Sequence, residues 1–514
     1  MDTIDIPRGD LQGNVDAKRW WKYRNLRNLN LLLIIPFLSL FTIGFDGSMM
    51  NGLQSIETWR KDFGEPTGAT LGLFNAAYPI GGFAAVPFVS VANDRFGRRV
   101  GSAFGALVCV IGAVVQAAAF DMATFVVARG ILGAGTVLLA ASGGSWITEV
   151  AHPSHRSTAT ALFQTGYSLG SIVAAWTTFG TFRINSSAGW RIPSALQGAP
   201  ALFQFIGFWF VPESPRWLVS KDRNEEALAT LAKYHAEGDT SDPIIQFEYN
   251  EIQQALSFEK DINTGNFIQN YGEFLRTPGN RKRLFIIVWA AMMTQMSGNA
   301  FVSYYLSPIL MSVGLTSSLK QTLINATASM FAWVSTLYFA TLPDRLGRRT
   351  LFLASGACIF ICLVAITTGS AVYAQNSSKV AGGVVVAFIY LFSPAYNLGL
   401  NGNFGLYTTE ILPFHLRMRG QAINQFFQTA FVLLAVYAIP VGLEKMGWKF
   451  YTIFIPWVVV EFVVVFFTFP ETKGPSLEEI AIIFDGENAL GPRDVKKIEL
   501  ERGVGGVEHA EQGR

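Results

Sequence analysis

The chain has 514 residues, of which 50% are hydrophobic and 15% are charged, with a formal net charge of +2. A soluble chain would carry roughly 25% charged residues, so the composition excludes an ordinary soluble protein and favours a membrane protein. The small net charge decides nothing about nucleic acid. Apart from segment 18–24, which directly precedes the first apolar segment, no basic cluster is interleaved with base-stacking aromatic residues outside the apolar segments, so no nucleic-acid partner is expected.

Residue types that bind metals or perform covalent catalysis are few and scattered. Cys109, Cys358 and Cys362 all fall within apolar segments, so no disulfide framework is expected. Cys358 and Cys362 share a helix face, but no histidine or acidic residue nearby completes a metal site. The sequence has no glycine-rich phosphate loop and no nucleophile–histidine–acid set. We therefore expect no metal, no cofactor and no enzymatic activity.

The N-terminal residues 1–28 are polar at first and then rich in basic and aromatic side chains, above all in the segment 18–24. Basic residues just before a first apolar segment mark the cytoplasmic side of a membrane, and Trp and Tyr suit the headgroup layer. The first apolar segment also lacks the small-residue cleavage site of a signal peptide. We predict that residues 1–28 form a cytoplasmic tail.

Twelve apolar segments follow, each of about the 20 residues that a membrane-spanning helix needs. They lie near residues 30–50, 70–92, 101–120, 124–147, 159–180, 193–211, 283–307, 320–342, 351–374, 382–407, 421–443 and 450–469. Six lie within 29–211 and six within 283–469. The pattern predicts an all-α membrane protein with twelve transmembrane helices in two pseudo-symmetric six-helix bundles.

One charged turn occurs once in each half. Asp-Arg-Phe-Gly-Arg-Arg at 94–99 returns as Asp-Arg-Leu-Gly-Arg-Arg at 344–349, an offset of 344 − 94 = 250 residues. An offset of about half the chain indicates a duplicated bundle and not a short solenoid repeat. A single copy would fit a solvated basic loop equally well. The arginines predict that both turns, and with them both termini, are cytoplasmic.

The polar segments outside the bundles complete the predicted organisation. Residues 212–282 are predicted to be a cytoplasmic linker with short helices, one of them over Asn224–His235. Residues 470–514 are predicted to be a cytoplasmic tail, in which the capping box at 476–479 indicates a short amphipathic helix. Sequons at Asn185 and Asn376 fall in loops that this topology places outside. Whether either is glycosylated stays open.

Further motifs carry a family resemblance. Pro-Glu-Ser-Pro-Arg-Trp-Leu at 212–218 follows the sixth span, and Pro-Glu-Thr-Lys-Gly at 470–474 follows the twelfth. Arg129, Gly133 and Gly135 stand on the fourth span. With the paired charged turns, the chain resembles the sugar porter family of the major facilitator superfamily over nearly its whole length. The resemblance implies the major facilitator fold.

Two segments, 44–53 and 297–306, resemble fungal lactose-permease-type and hexose-type porters. The resemblance implies a sugar transmembrane transporter that works by alternating access, by proton-coupled symport of a hexose or disaccharide into the cell. It also implies a multi-pass protein of the plasma membrane. We expect the protein to be a monomer in the lipid bilayer. A facilitative sugar uniporter and a non-transporting sugar sensor are the alternatives.

Charged residues inside the predicted spans are candidates for proton coupling. A charge in hydrocarbon costs at least ~2.5–3.5 kcal/mol, so such a residue normally faces the bundle interior and finds a partner. We interpret Asp46 and Arg129 as that pair: a protonated Asp46 releases Arg129 and the ionised form holds it. A static buried ion pair is the alternative. Glu461, without an evident cationic partner, is interpreted as a structural contact, with a second proton site as the alternative.

The resemblance also implies where the sugar binds. Gln164, Gln295 and Asn397 align with polar sugar-contacting positions of the family, and amides both donate and accept hydrogen bonds without adding charge. Asn299 lies one residue before the position usual for an asparagine on the seventh span. For Gln164, Asn299 and Asn397, a hydrogen bond between helices is the alternative.

Tyr304 and Tyr305 are candidates for an outer gate, with simple packing as the alternative. Thr294 replaces the first member of the family's usual Gln-Gln pair, and Gly405 stands where glucose carriers have tryptophan. These departures leave room for a larger or different sugar.

A set of charged residues near the basic turns and span ends resembles the network that latches the two halves of similar porters on the cytoplasmic side. Ordinary cytoplasmic positive charge is the alternative. Its members are Asp94, Arg98, Glu149, Arg156, Asp344, Arg348, Glu410 and Arg417.

Overall fold

The computed structural model describes residues 17–262, 267–475 and 477–486, which form helices and connecting turns without a strand. Twelve consecutive membrane-spanning units, here called spans, account for most of these residues. In the first half they are span 1, Arg24–Leu32 and Ile34–Ser55; spans 2 and 3, both within Gly68–Ala117; span 4, Met122–Val150; span 5, Pro153–Thr181; and span 6, Ala188–Leu196 and Gly198–Gly207.

The second half repeats this order of spans. It comprises span 7, Pro278–Met296, Asn299–Tyr304 and Leu306–Ser312; span 8, Ser318–Phe339; span 9, Arg348–Asn376; span 10, Lys379–Tyr396, Asn397–Asn401 and Gly402–Glu410; span 11, Phe414–Met446; and span 12, Phe454–Thr468. The twelve predicted spans and the all-α fold class are confirmed.

Six helical stretches in the described part of the chain are long and apolar enough to cross a membrane, judged by length and composition. Two of them, Gly68–Ala117 and Arg419–Thr468, have 50 residues each and therefore hold two spans each. Within the first stretch the helix is interrupted at Gly97, where φ is 91°. Glycine adopts this positive φ at no steric cost, so the repeated charged turn can separate spans 2 and 3.

Small residues allow neighbouring spans to approach closely. A Cβ atom at Gly133 would lie 1.9 Å from the carbonyl oxygen of Tyr78, and one at Gly44 would lie 1.8 Å from that of Tyr167. Spans 2 and 4, and spans 1 and 5, are therefore in backbone contact, as is common where helices pack in lipid. Large apolar side chains such as Phe88 are exposed on the outside of the bundle, where lipid would cover them.

Span 7 differs from its predicted form, a single run over 283–307. Its first helix ends at Met296, and Gly298 follows with φ of 98°. The span then continues through two short helices to Ser312. Hydropathy alone does not report this break, because Ser and Gly interrupt the apolar run for only two residues.

Short helices lie between the halves and after span 12. They are Pro215–Ser220, Asn224–His235, Pro243–Ile262, Phe267–Arg276 and Leu477–Asp485. The helix predicted over Asn224–His235 is confirmed with those bounds. Ser476 of the predicted capping box lies outside the described residues, as do 1–16 and 487–514 of the predicted tails.

Candidate functional site

Asp46 and Arg129 are brought together in the interior of the first half. Arg129 donates from Nη1 to Oδ1 of Asp46 at 2.9 Å and from Nη2 to Oδ2 at 3.0 Å. Both residues are only 1% exposed. Such a bidentate contact, with two parallel hydrogen bonds, is the strongest arrangement available to a guanidinium and a carboxylate. Because both charges are buried, neither could lose its partner without a large desolvation cost.

Gln197 is a third member of this site that the sequence analysis missed. Its Nε2 donates to Oδ1 of Asp46 at 2.9 Å, and the residue is fully buried. Gln197 lies at the junction of the two helices of span 6. A glutamine within an apolar segment gives no signal of its partner, so only the packing of span 6 against span 1 identifies this contact.

Tyr78 packs beside the guanidinium and completes the surroundings of the pair. The Cζ atom of Arg129 lies 5.6 Å from the centre of the Tyr78 ring, within the range of a cation–π contact. The Tyr78 hydroxyl accepts a hydrogen bond from Thr136 at 2.8 Å. The close approach of span 2 at Gly133 makes this contact possible. An arginine, an amide and an aromatic face thus surround one carboxylate.

Three of the four predicted sugar-binding residues lie on spans 5 and 7. Gln164 is exposed on span 5, and Gln295 is half-buried on span 7, where its Nε2 donates to Thr294 Oγ1 at 3.3 Å. Asn299 begins the second helix of span 7 and accepts from Ser303 Oγ at 3.2 Å.

Asn397 makes hydrogen bonds between helices. Its Nδ2 donates to the carbonyl of Ala332 at 3.1 Å and to Ser335 Oγ at 2.9 Å, both on span 8. Its Oδ1 accepts from Asn401 at 2.9 Å. Asn397 also begins the wide π-helical turn of span 10. The geometry matches the interhelical alternative for this residue.

We call the end of the bundle that carries turns 94–99 and 344–349 the basic end, and the opposite end the distal end. Toward the distal end, span 1 binds the backbone of span 7. Asn51 Nδ2 donates to the carbonyl of Ser303 at 2.7 Å, and Gln54 Nε2 donates to that of Tyr304 at 2.9 Å. Tyr305 is fully buried and its hydroxyl donates to the carbonyl of Val436 on span 11.

The contacts of Asn51 and Gln54 join the two halves, so the distal end is closed around the gate candidates Tyr304 and Tyr305. The sequence analysis did not identify Asn51 and Gln54 as seal residues. Their signal was available, because both are amides one turn apart within a span.

At the basic end, each half has its own clamp around the charged turn. In the first half, Arg98 lies 3.0 Å from Glu149 through both Nε and Nη2. Glu213 accepts from the backbone N–H groups of Arg98 at 3.0 Å and Arg99 at 3.3 Å. Ser214 Oγ donates to Glu149. Burial raises the pKa of Glu213, while these backbone donors act in the opposite direction.

The second half repeats the clamp almost atom for atom. Arg348 Nη2 lies 2.9 Å from Glu410, and Glu471 accepts from the backbone N–H groups of Arg348 at 2.7 Å and Arg349 at 3.1 Å. Thr472 Oγ1 donates to Glu410 at 2.6 Å. Both ion pairs therefore lie within one half and not between halves.

The remaining members of the predicted charge set have separate positions. Asp94 is exposed and its carbonyl accepts from Trp217 Nε1 at 3.1 Å, whereas the side chain of Asp344 lies outside what the structure describes. Arg156 lies 3.8 Å from Glu248 of the linker. Arg417 is half-buried on span 11.

A histidine cluster joins the linker to the first half at the basic end. His235 has its Nδ1 2.7 Å from Glu248 and its Nε2 3.1 Å from the carbonyl of Val150, and its ring packs against His152 at 5.1 Å. Burial, and secondarily the charge of His235, lowers the pKa of His152 to about 4. Burial alone would raise the pKa of Glu248, but the charges of His235 and Arg156 lower it.

Comparison with known proteins gives consistent matches over nearly the whole chain. Residues 31–484 match the protein family described as Sugar (and other) transporter. The High-affinity glucose transporter of Kluyveromyces lactis is 28% identical over 485 residues, covering 89% of this chain and 85% of that protein. The Hexose transporter HXT10 of Saccharomyces cerevisiae is 26% identical over 479 residues, covering 89% and 85%. These relatives are transporters and not enzymes.

Solved structures of XylE from E. coli share the fold. The inward open conformation of this xylose transporter aligns with a TM-score of 0.73 at 20% identity and covers 89% of this chain and 100% of that one. The proton:xylose symporter XylE bound to 6-bromo-6-deoxy-D-glucose aligns with a TM-score of 0.69 at 21% identity, covering 90% and 100%. At this identity the likeness establishes the fold alone.

Proposed function

The chain belongs to the sugar porter family and is a membrane-spanning sugar transporter, and from this premise we propose that it imports a hexose or disaccharide together with a proton. The sugar passes between the two halves by alternating access. We place the basic end and both termini in the cytoplasm and the carrier, as a monomer, in the plasma membrane.

The observation that carries proton coupling is the buried site of Asp46, Arg129 and Gln197. Ionised Asp46 is held by two guanidinium bonds and one amide bond. A proton on the carboxylate removes the charge that holds Arg129, so spans 1, 4 and 6 can then move apart. Ion-pair formation and span arrangement are thereby linked, and the proton shifts the population of the two states.

The driving force of a proton is sufficient for uphill transport. One charge that falls through ~100 mV gains about 2.3 kcal/mol, and one unit of pH adds ~1.4 kcal/mol. Together these would sustain roughly 500-fold accumulation of a neutral sugar, since each 1.4 kcal/mol corresponds to a factor of ten. A uniporter would gain nothing from a buried carboxylate at this position.

For the sugar site we propose Gln164, Gln295 and Asn299 as direct contacts and Asn397 as a support. The first two present amides on opposite halves, which suits a substrate held between them. Asn397 is engaged with span 8 and would hold the π-helical turn in place. A side chain added at Gly405 would meet no atom within 4 Å of its Cβ. This open space supports a hexose or a larger sugar.

The clamps and the distal seal suit the two gates of such a cycle. Asn51 and Gln54 close the distal end against span 7. The side chains of both clamp ion pairs are largely buried, and several such contacts together can tilt an equilibrium of a few kcal/mol. Because each clamp lies within one half, we propose that it keeps its own half rigid while the halves rock.

The test is transport by purified protein in proteoliposomes with an imposed pH gradient and membrane potential. The measurement is uphill accumulation of radiolabelled sugar, with a panel of hexoses, pentoses and disaccharides to define the substrate. Asp46→Asn should abolish accumulation while sugar exchange between the two sides survives. The matched control is Asp121→Asn, which makes the same change at the cap of span 4, where asparagine caps equally well.

Undiminished accumulation by Asp46→Asn would disprove the coupling role. Wild-type protein that only equilibrates sugar, without alkalinising the medium on sugar addition, would be a facilitative uniporter in which Asp46 and Arg129 form a static pair. Protein that binds sugar but moves none would be a sensor.

A further inference from the structure

A second carboxylate lies deep inside the second half, at the break of span 7. Glu461 of span 12 is 3% exposed, and its Oε2 lies 2.6 Å from Ser297 Oγ. Its Oε1 is buried and makes no hydrogen bond of standard geometry among the described residues, although the indole N–H of Trp457, one turn earlier on span 12, faces this carboxyl. Among the described residues, no basic nitrogen lies within 4 Å of the Glu461 carboxylate, the distance that defines an ion pair. An unpaired ionised carboxylate in this position would be very costly.

The hydrogen bonds of Ser297 show where a proton must be. Ser297 Oγ lies 2.5 Å from the carbonyl oxygen of Met293 and 2.6 Å from Glu461. A hydroxyl has one proton to donate, and a carbonyl oxygen only accepts. If Ser297 donates to Met293, the second short contact requires that Glu461 donate to Ser297. Both contacts are satisfied only when Glu461 is a neutral carboxylic acid.

Among the described residues, Tyr396 on span 10 is near enough for its charge to interact with that of Glu461. Tyrosine ordinarily stays neutral below about pH 9, so Tyr396 supplies no positive charge that would stabilise an ionised Glu461. The basic residues of span 7 lie at its start, 281–283, which is about 20 Å along the helix from Ser297 at 1.5 Å per residue.

Ser297 is the last residue before the part of span 7 that seals the distal end. Gly298 follows with φ of 98°, and the next helix, Asn299–Tyr304, provides the carbonyl groups that Asn51 and Gln54 bind. Movement of that helix requires rotation about 297–298, because the helix Pro278–Met296 ends there. The hydrogen bond from Glu461 therefore fixes the position about which the distal gate turns.

We propose that Glu461 is a second proton-binding site, which holds the break of span 7 in the distal-closed state while it carries its proton. When the proton leaves to water at the distal end, the carboxylate can no longer donate to Ser297. The ionised group then favours the state in which the break is open to water. This inference rests on the proposed alternating access. It assigns the protein two proton-binding sites: Asp46, which couples transport to the proton, and Glu461, which controls the distal gate.

The experiment measures opening of the distal end directly, without transport. Spin labels are attached at Lys61→Cys, beyond span 1, and Thr316→Cys, just after span 7, with the three native cysteines replaced by alanine; both labelled residues are exposed. Distances between the two labels are measured by pulsed electron paramagnetic resonance between pH 5 and pH 9. The population with the long distance should grow relative to the population with the short distance as pH rises. The ratio of the two populations should change by at most about tenfold per pH unit, which is the limit for release of one proton.

Two variants separate the proton from the side chain. Glu461→Gln keeps a donor to Ser297 that cannot ionise, so the short distance should persist at every pH. Glu461→Leu removes the donor altogether, so the long distance should be more populated than in wild type at low pH and equally insensitive to pH. A wild-type pH response in Glu461→Gln, or the absence of a response in wild type, would overturn the proposal.

The labels also distinguish failure of this inference from failure of the proposed function. Asp46→Asn with the same labels should keep the pH response, because it leaves Glu461 and Ser297 intact. Transport that proves to be uncoupled from protons would disprove the role of Asp46 and leave the spin-label result standing. A lost response in Glu461→Gln, with normal uphill transport by the unlabelled wild type, would support both.

Discussion

The two halves of the molecule are nearly identical at the basic end and unlike each other in the middle. At the basic end, Gly97 and Gly347 have φ of 91° and 92°, and a carboxylate from a following motif accepts the N–H groups of the next two residues in each half. The two turns are alike because the backbone conformation sets the same requirement in both halves. A turn that begins a helix leaves N–H groups unpaired, and one carboxylate satisfies them in either half.

In the middle, the first half holds an ion pair and the second half a hydrogen bond between a carboxyl group and a hydroxyl group. Asp46 meets Arg129 across two spans, whereas Glu461 meets the hydroxyl of Ser297. The difference shows that duplication preserves the parts whose geometry the backbone dictates. The centre of each bundle depends on side chains from distant spans, so the two centres could acquire different roles.

The largest expected effect comes from removing the cation from one centre. Arg129→Met leaves a buried carboxylate without its partner, which costs about 3–5 kcal/mol. Glu461→Gln replaces one neutral hydrogen bond by another, so it should cost under ~1 kcal/mol. Apparent melting temperatures of the purified protein in detergent compare the two. The double variant Asp46→Asn/Arg129→Met should recover much of the loss, and equal losses for the single variants would contradict the contrast between centres.

The basic ends should respond equally to equivalent changes. Glu213→Ala and Glu471→Ala each leave two backbone N–H groups without their acceptor, at a cost of about 1–3 kcal/mol per unsatisfied buried group. We expect the two melting temperatures to fall by similar amounts. Glu213→Gln and Glu471→Gln retain an acceptor oxygen and serve as milder controls. A large loss in one half alone would show that the two clamps are not equivalent.

Loss of the Gln197 hydrogen bond should change the pH dependence of transport without abolishing the Asp46–Arg129 ion pair. Gln197→Met keeps the volume but removes the donor to ionised Asp46, a hydrogen bond to a charged group worth about 1.5–3 kcal/mol. The ionised state is then less stabilised, so the alkaline limb of the transport profile should move up by about 1–2 pH units. Initial rates of sugar uptake between pH 5 and 9 measure this. If the alkaline side of the pH profile stays where it is in wild type, Gln197 contributes packing and not a hydrogen bond that stabilises ionised Asp46.

The last prediction concerns a feature of the first half alone. His152 caps span 5, whereas Pro413, which directly precedes span 11, provides no side-chain cap. Burial lowers the pKa of His152 from 6.5 to about 4. The unfolded chain therefore binds a proton below pH 6.5 that the folded chain refuses, and the stability it confers falls as pH drops from about 6.5 to about 4.

Melting temperatures of wild type and His152→Asn over this pH range check the effect. Asparagine also caps a helix but does not titrate. The wild type should lose up to about 1.4 kcal/mol per pH unit from this group, and the variant should have a correspondingly flatter profile. Parallel profiles for the two proteins would assign the acid sensitivity to other groups.

Much of the architecture could be predicted because it depends on local signals. Apolar length identifies a span, and a repeated charged turn identifies a duplication. The meeting of Asp46 and Arg129 was also predicted, since two charges in hydrocarbon need partners. Gln197 was not found, because an amide has many possible partners and its choice depends on how span 6 packs. For Asn397, the family resemblance implied a sugar contact and left an interhelical bond as the alternative, and only the position of span 8 favours the bond.

By itself, the sequence determined the number of spans, their division into two halves and the residues of the charged turns, because hydrophobicity and backbone conformation act over a few residues. The tertiary structure decided which groups meet across spans: Gln197 with Asp46, Asn51 with the backbone of span 7, and Glu461 with Ser297. Those contacts join residues more than 100 positions apart. Their geometry follows from how whole helices pack, and no local pattern contains it.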